Sequence, residues 1–273
     1  MRVATVRTGS TTRAVRVDGD HLTYLPHADV GELIASGPDW RERAAAGGGD
    51  TTTATAAVYA PLVTAPEKIV CVGLNYVDHA EEAGLALPRY PTIFAKYSRS
   101  MIGANDPLVL PPNSDAVDWE IELGVVIGST ARHVDTEQAW NAVAGYTIIN
   151  DISMRDWQER TSQFLQGKTF ESSTPVGPYL VTPDEVDHAH DLTMECLLNG
   201  ETMQHSSTGK LIFDVAEIIS YLSEIITLVP GDVIATGTPA GVGAGRRHPR
   251  FLRPGDVLVT RIAGLGQQTV TCS

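Results

Sequence analysis

The chain has 273 residues, enough for one large domain or for a small domain beside a large one; 42% are hydrophobic and 19% charged, as in an ordinary globular protein. A formal net charge of −13, with no basic aromatic-rich patch, argues against nucleic-acid binding. No apolar segment approaches the roughly 18 residues of a membrane span, and residues 1–6 alternate like a strand, unlike the apolar run of a signal peptide.

The three cysteines, Cys71, Cys196 and Cys272, are far apart and odd in number, without a C-x-x-C pair. Reduced thiols and an intracellular, cytoplasmic setting are expected, and a zinc knuckle is not. In chain order, residues 3–7, 13–17 and 21–25 read as strands separated by Gly-containing turns, followed by a short helix over 30–35. Residues 41–57 are rich in Ala, Gly and Thr and read as a linker. This places a boundary near residue 60, between a small β-rich unit (1–60) and the main domain (61–273).

Residues 67–73 read as a buried strand. Asn75 is expected to cap a helix over about 76–83, which Gly84 ends. On that helix His79 and Glu82 stand three apart and share a face. They are either a solvated surface pair or a dyad in which the carboxylate orients a general base. Residues 91–96 form another strand, and 98–112 a loop.

Residues 117–127, VDWEIELGVVI, alternate with period two, so Asp118, Glu120 and Glu122 should leave one face of a strand and Trp119, Ile121 and Leu123 the other. Carboxylates two residues apart lie about 6–7 Å apart at their Cα atoms. Such a row is either a solvated face or a divalent-metal site. The apolar run that follows makes the strand buried, and buried carboxylates need a metal or a partner.

A short helix is expected over 137–143. Residues 145–151 form an apolar strand ending in Asp151, which on its own reads as a cap for helical residues 152–160. Lys168 sits on a Gly-Lys turn. Residues 176–182 and 193–198 are strands, and Asn199-Gly200 marks a hairpin. Residues 211–228 carry apolar side chains at helical spacing. Pro-Gly turns launch strands after 230 and 254. Between them, residues 236–243, TGTPAGVG, form a Gly-rich loop whose N–H groups could bind an anion; it matches neither nucleotide-binding fingerprint.

Together these stretches resemble the fumarylacetoacetate hydrolase superfamily. They are GLNY with Asp78-His79, then WEIEL, NDISMRDWQ, GKTF, PGDVI and TGTPAGVG, in the family's order over about residues 66–273. The resemblance implies an α+β fold with a mixed β-sandwich or β-roll, in a homodimer. It implies Mg²⁺ or Mn²⁺ held by Glu120, Glu122 and Asp151. It places Lys168 near the substrate, and Arg155 and Gln158 near the metal. His79 and Glu82 fall on a mobile lid, and Thr238 with Gly237 near a substrate carboxylate. The substrate class it implies is a small 2-oxo acid. Hydrolytic C–C cleavage of an acylpyruvate-like 2,4-dioxo acid is the first expectation. Decarboxylation or isomerisation of oxaloacetate-like or hydroxymuconate-like acids is the alternative. Residues 246–250, RRHPR, are a basic cluster that reads as a solvated turn or an aid to anion capture.

Overall fold

The computed structural model describes all 273 residues. It opens with β1 (Arg2–Thr8), β2 (Thr11–Asp18) and β3 (His21–Tyr24), an antiparallel run whose turns contain Gly9 and Gly19 at positive φ. The helix α1 spans Val30–Ala35, as expected, with the Asp29 carboxylate accepting from Glu32 N–H. The expected linker is structured: it contains α2 (Trp40–Ala46) and β4 (Thr51–Thr53). Its few large apolar residues suffice because Trp40 and Ala44 are buried against α1 and the sheet. Arg16 also donates to the carbonyls of Ala44, Ala45 and Gly47.

The main region runs through β5 (Ile69–Gly73), α3 (Val77–Ala83), β6 (Thr92–Lys96), β7 (Met101–Gly103), β8 (Val117–Asp118) and β9 (Ile121–Ile127). Then come α4 (Thr136–Ala139), β10 (Val143–Asn150), β11 (Ser153–Met154), α5 (Arg155–Gln158) and α6 (Leu165–Lys168). The remainder comprises β12 (Thr174–Val176), β13 (Leu180–Val181), β14 (Thr193–Leu198), β15 (Glu201–Ser207), α7 (Val215–Ile225), β16 (Val233–Ala235), β17 (Val257–Ile262) and β18 (Gly266–Thr271).

A mixed sheet of twelve strands dominates, in the order β4-β3-β2-β1-β13-β10-β9-β16-β5-β6, with β12 attached to β10 and β7 to β12. The first three strands thus join the main sheet through β1 and β13, Arg2 facing Val181. A second sheet, β15-β14-β17-β18, packs its apolar residues against those of β9 and β10, with Leu123, Ile148, Cys196 and Leu258 in one core. This is the expected α+β, sheet-on-sheet architecture, and no barrel closes. No helix is long and apolar enough to cross a membrane.

Several helices are shorter than their apolar spacing suggested. The amphipathic helix is confined to Val215–Ile225 because Asp214 and Glu217 form a reciprocal capping box at its start. Only Arg155–Gln158 is α-helical in the 152–160 stretch, because Ser153–Met154 is taken into a pairing with β8.

Candidate active site

Strand pairing brings the acidic residues together. In the β9–β10 ladder Ile149 faces Glu122 and Asn150 faces Ile121, so Asp151 follows directly beside Glu120. Asp151 N–H donates to Glu120 O at 2.8 Å, and the Asn150 side chain accepts from Glu120 N–H at 3.0 Å. The predicted continuous strand is broken at Trp119–Glu120, between β8 and β9. Asp118 is therefore not a third member of the row. It accepts from Arg155 Nε at 2.8 Å and from the N–H groups of Gly243 and Ala244 at 2.6 and 3.0 Å.

Glu120, Glu122 and Asp151 are all buried, and one carboxylate oxygen from each lies within 4.8 Å of the others. Asp151 is not a helix cap, since α5 begins four residues later with no side-chain cap. Instead Lys168 Nζ lies 2.6 Å from Glu120 and 3.0 Å from Asp151, and Arg155 pairs with Glu120 at 2.6 Å. Lys168 ends α6 and is 3% exposed, where a flexible turn was expected. Gly167 makes this possible: a Cβ there would fall 2.5 Å from Gln158 N and 2.6 Å from Met154 O, so α6 would stand away from α5.

Burial opposes ionisation of Glu120, but Lys168 and Arg155 outweigh it and hold the carboxyl down at about 2. Glu122 is the opposite case. Burial, then Asp151 and Glu120 as like charges, push it well above the usual carboxylate range. Its hydrogen-bond donor is a single backbone group, Gly237 N–H at 2.8 Å. A buried carboxylate with that little compensation beside two others suits a hard divalent cation, and these three residues would hold it. Lys168 is raised: burial acts against it, and Asp151 and Glu120 override burial.

The Gly-rich loop does bind anions, but they are the chain's own. Gly237 N–H serves Glu122, Gly241 N–H serves Glu82 at 3.1 and 3.2 Å, and Gly243 serves Asp118. Gly237, expected near substrate, is spent on Glu122 and does not line the cavity. Two members of the basic cluster are engaged within the chain, Arg246 with Met203 O and Arg250 with Glu201.

A cavity of about 280 Å³ opens above the triad, lined by Glu120, Glu122, Arg155, Gln158, Lys168, Thr238 and His79 among others. Gln158 accepts from Arg155 Nη1 at 2.8 Å, and Thr238 Oγ1 from Gln204 Nε2 at 2.8 Å. On α3, His79 Nδ1 lies 3.3 Å from Glu82. The cap of α3 is Tyr76, not Asn75. The Asn75 side chain is drawn away to Phe213 N–H, Phe213 O and Thr236 O, where it ties the end of β5 to β16. Glu82 is absent from the cavity wall, and its carboxylate contacts the His79 ring and Gly241 N–H.

Sequence reading missed Lys96, which is buried and paired with Asp151, and the cavity residues Phe94 and Phe164. A signal existed: Thr92, Phe94 and Lys96 alternate on one face of β6, so two cavity residues imply the third points inward.

The fold and the buried group of three carboxylates are of the fumarylacetoacetate hydrolase type. Residues 68–272 match the family model described as Fumarylacetoacetate (FAA) hydrolase C-terminal, and the chain belongs to that family. It is similar to human Oxaloacetate tautomerase FAHD2A, mitochondrial, with 47% identity over 206 residues, 75% of this chain and 66% of that protein. It thus spans just under two thirds of that relative's length. It also resembles the structure of 2-hydroxyhepta-2,4-diene-1,7-dioate isomerase from Mycobacterium marinum, with 30% identity, TM-score 0.80, and 100% and 98% of the two chains covered. Fumarylpyruvate hydrolase from Pseudomonas aeruginosa, solved with Mn²⁺ and pyruvate, gives 33% identity and TM-score 0.69 over 76% of this chain and 89% of that one.

Proposed function

We propose that this chain enolises a small 2-oxo acid, moving a proton between the carbon beside the keto group and the keto oxygen. The observation that carries this is the convergence of Glu120, Glu122 and Asp151 with the Lys168 ammonium, where Glu120, Glu122 and Lys168 line one small cavity. Mg²⁺ or Mn²⁺ held by the three carboxylates would supply Lewis-acid polarisation of the keto oxygen, which acidifies the neighbouring C–H. Lys168 Nζ stays protonated beside Glu120 and Asp151 and presents a positive charge to negative charge developing on the substrate. His79 turns Nδ1 to Glu82, which leaves Nε2 to accept or return the carbon-bound proton. Arg155 keeps Glu120 ionised and orients Gln158 through one of its N–H groups.

Kinship with a tautomerase at 47% identity and with an isomerase supports enolisation above the C–C hydrolysis expected first from the sequence. Hydrolysis of an acylpyruvate is the second reading. It is supported by kinship with a fumarylpyruvate hydrolase and by the His79–Glu82 pair, which could equally activate water. The deciding experiment follows keto and enol forms of oxaloacetate and other 2-oxo acids by ultraviolet absorbance, with Mg²⁺, Mn²⁺ or chelator, while NMR identifies products. Accelerated interconversion that chelation abolishes is expected. Cleavage of acylpyruvates with no acceleration of enolisation would overturn it for the second reading.

We also infer a homodimer. Leu85, Leu87, Tyr90 and Tyr97 are each more than half exposed around β6, the edge of the main sheet, a surface that association would cover. Light scattering at micromolar concentration should give twice the chain mass.

A further inference from the structure

Gln204 reaches the site from the second sheet. In the β14–β15 ladder Cys196 faces Gln204 and Leu197 faces Thr202, so Met203 is a bulged residue without a partner. The bulge breaks the alternation of β15. Met203 and Gln204 are both buried, between exposed Thr202 and exposed His205. An extra residue re-aims the side chain that follows it, here towards the Gly-rich loop. That loop meets β15 backbone to backbone. A Cβ on Gly241 would overlap Met203 O and stand 3.2 Å from Gln204 Cα, so glycine is what lets the loop come this close.

The Gln204 amide is polarised by two neighbours that cannot change role. Its Oε1 accepts from Ile121 N–H at 3.0 Å, and a backbone N–H only donates. Its Nε2 donates to Pro239 O at 2.9 Å, and a carbonyl only accepts. The other hydrogen of Nε2 goes to Thr238 Oγ1 at 2.8 Å. A hydroxyl carries one hydrogen and can also accept. Gln204 occupies the accepting side of Thr238, so the hydroxyl hydrogen must turn elsewhere. Thr238 is 5% exposed and lines the catalytic cavity, and its hydroxyl bonds no other group of the protein.

We propose that Gln204 is a positioning residue: it makes the Thr238 hydroxyl a one-way donor into the cavity, aimed at a carboxylate oxygen of the substrate. The proposal rests on the 2-oxo acid reading above and deepens it. A donor already turned to the anionic oxygen needs no reorientation when the substrate arrives. The same amide holds Ile121, between Glu120 and Glu122. One side chain therefore fixes the carboxylate donor relative to the strand that carries two of the three acidic residues.

A double-mutant cycle with oxalate, a non-enolising mimic of the 2-oxo acid head group, tests this. Each protein is titrated calorimetrically at saturating Mg²⁺, set by its own Mg²⁺ titration, with folding checked by circular dichroism. Thr238→Val removes the donor and should weaken oxalate by about tenfold or more, as for a lost hydrogen bond to a charged group. Gln204→Met keeps the volume, removes the amide and should weaken oxalate by about three- to tenfold. In the Thr238→Val background the same Gln204→Met change should cost less than about twofold, since the hydroxyl it orients is gone. In a Thr238→Ser background, which keeps a hydroxyl, the Gln204→Met loss should return. Gln204→Asn, one methylene too short to span Ile121 and Thr238, repeats the cycle if the methionine variant does not fold. Wild-type oxalate affinity in the folded Gln204 variant overturns the proposal. So does a loss of equal size in the threonine and valine backgrounds, which would make Gln204 a structural support alone. If the Mg²⁺-loaded wild type does not bind oxalate, the 2-oxo acid reading fails and takes the proposal with it.

Discussion

Lys96 and Asp151 form an ion pair sealed from solvent on both sides, although 55 residues separate them in the chain. Lys168 takes the other oxygen of the same carboxylate, so two lysines bracket Asp151. Removing one partner of a buried pair costs about 3–5 kcal/mol, because the other charge is left uncompensated. Lys96→Met should therefore lower the chemical-unfolding stability of the chelated protein by about that amount, and saturating Mg²⁺ should recover part of it. A chelated variant as stable as the wild type would contradict this account of the pair.

Glu122 gives the opposite sign. Burial and the charges of Asp151 and Glu120 all oppose its ionisation. Glu122→Gln keeps an acceptor for Gly237 N–H and removes a carboxyl whose ionisation burial, Asp151 and Glu120 oppose. Without divalent metal the variant should gain about 0.5–2 kcal/mol of stability, as relieved functional sites commonly do. Its Mg²⁺ affinity should weaken by at least about tenfold, since one charged oxygen ligand is lost. Unfolding in chelator and a Mg²⁺ titration check the two halves. Stability unchanged, with metal binding intact, would remove Glu122 from the ligand set.

His79 is the residue placed to move the proton. His79→Ala should lower the enolisation rate by about 10²–10⁴-fold while leaving Mg²⁺ binding in place, because the ring does not touch the triad oxygens in the hydrogen-bond network. Steady-state kinetics and calorimetry on the same sample separate the two. Loss of metal affinity alongside rate would assign His79 to holding α3 in place.

Asp78 should make the seating of α3 sensitive to acid. Burial works against its ionisation, but donors from Ser206, the Ala240 N–H and Lys210 outweigh burial and hold its carboxyl below the ordinary aspartate value. A depressed pKa in the folded state means stability that is present above the unfolded-state value, near 4, and is lost as pH falls through the folded value. Hydrogen exchange across Val77–Ala83 should accordingly rise, after correction for intrinsic rates, as pH drops below about 4. In Asp78→Asn that rise should vanish. An identical pH response in both proteins would show that Asp78 does not anchor the helix.

Much of the site is legible in the sequence because its signals are local. Alternation along residues 121–127 puts Glu122 opposite Leu123 without knowledge of any neighbour, and Gly84 at φ 64 ends α3 where a left-handed residue is needed. The E-x-E spacing, the strand-end aspartate and the Gly-Lys step likewise mark ligand candidates one segment at a time. Pairing between segments is another matter. Asp118 shares the alternation of Glu120, yet the break at Trp119–Glu120 turns it to Arg155 and the glycine loop. The Gly-rich loop has open N–H groups in the sequence, and the fold fills them with Glu82, Asp118 and Glu122. Lys96 is an ordinary strand-end lysine until β6 is laid beside β5 and its ammonium reaches Asp151. By itself, then, the sequence determined which chemical groups face inward along each element, since backbone geometry repeats every two or 3.6 residues. The tertiary structure decided which of those groups meet, because the energy of a buried charge depends on the partner a distant strand delivers to it.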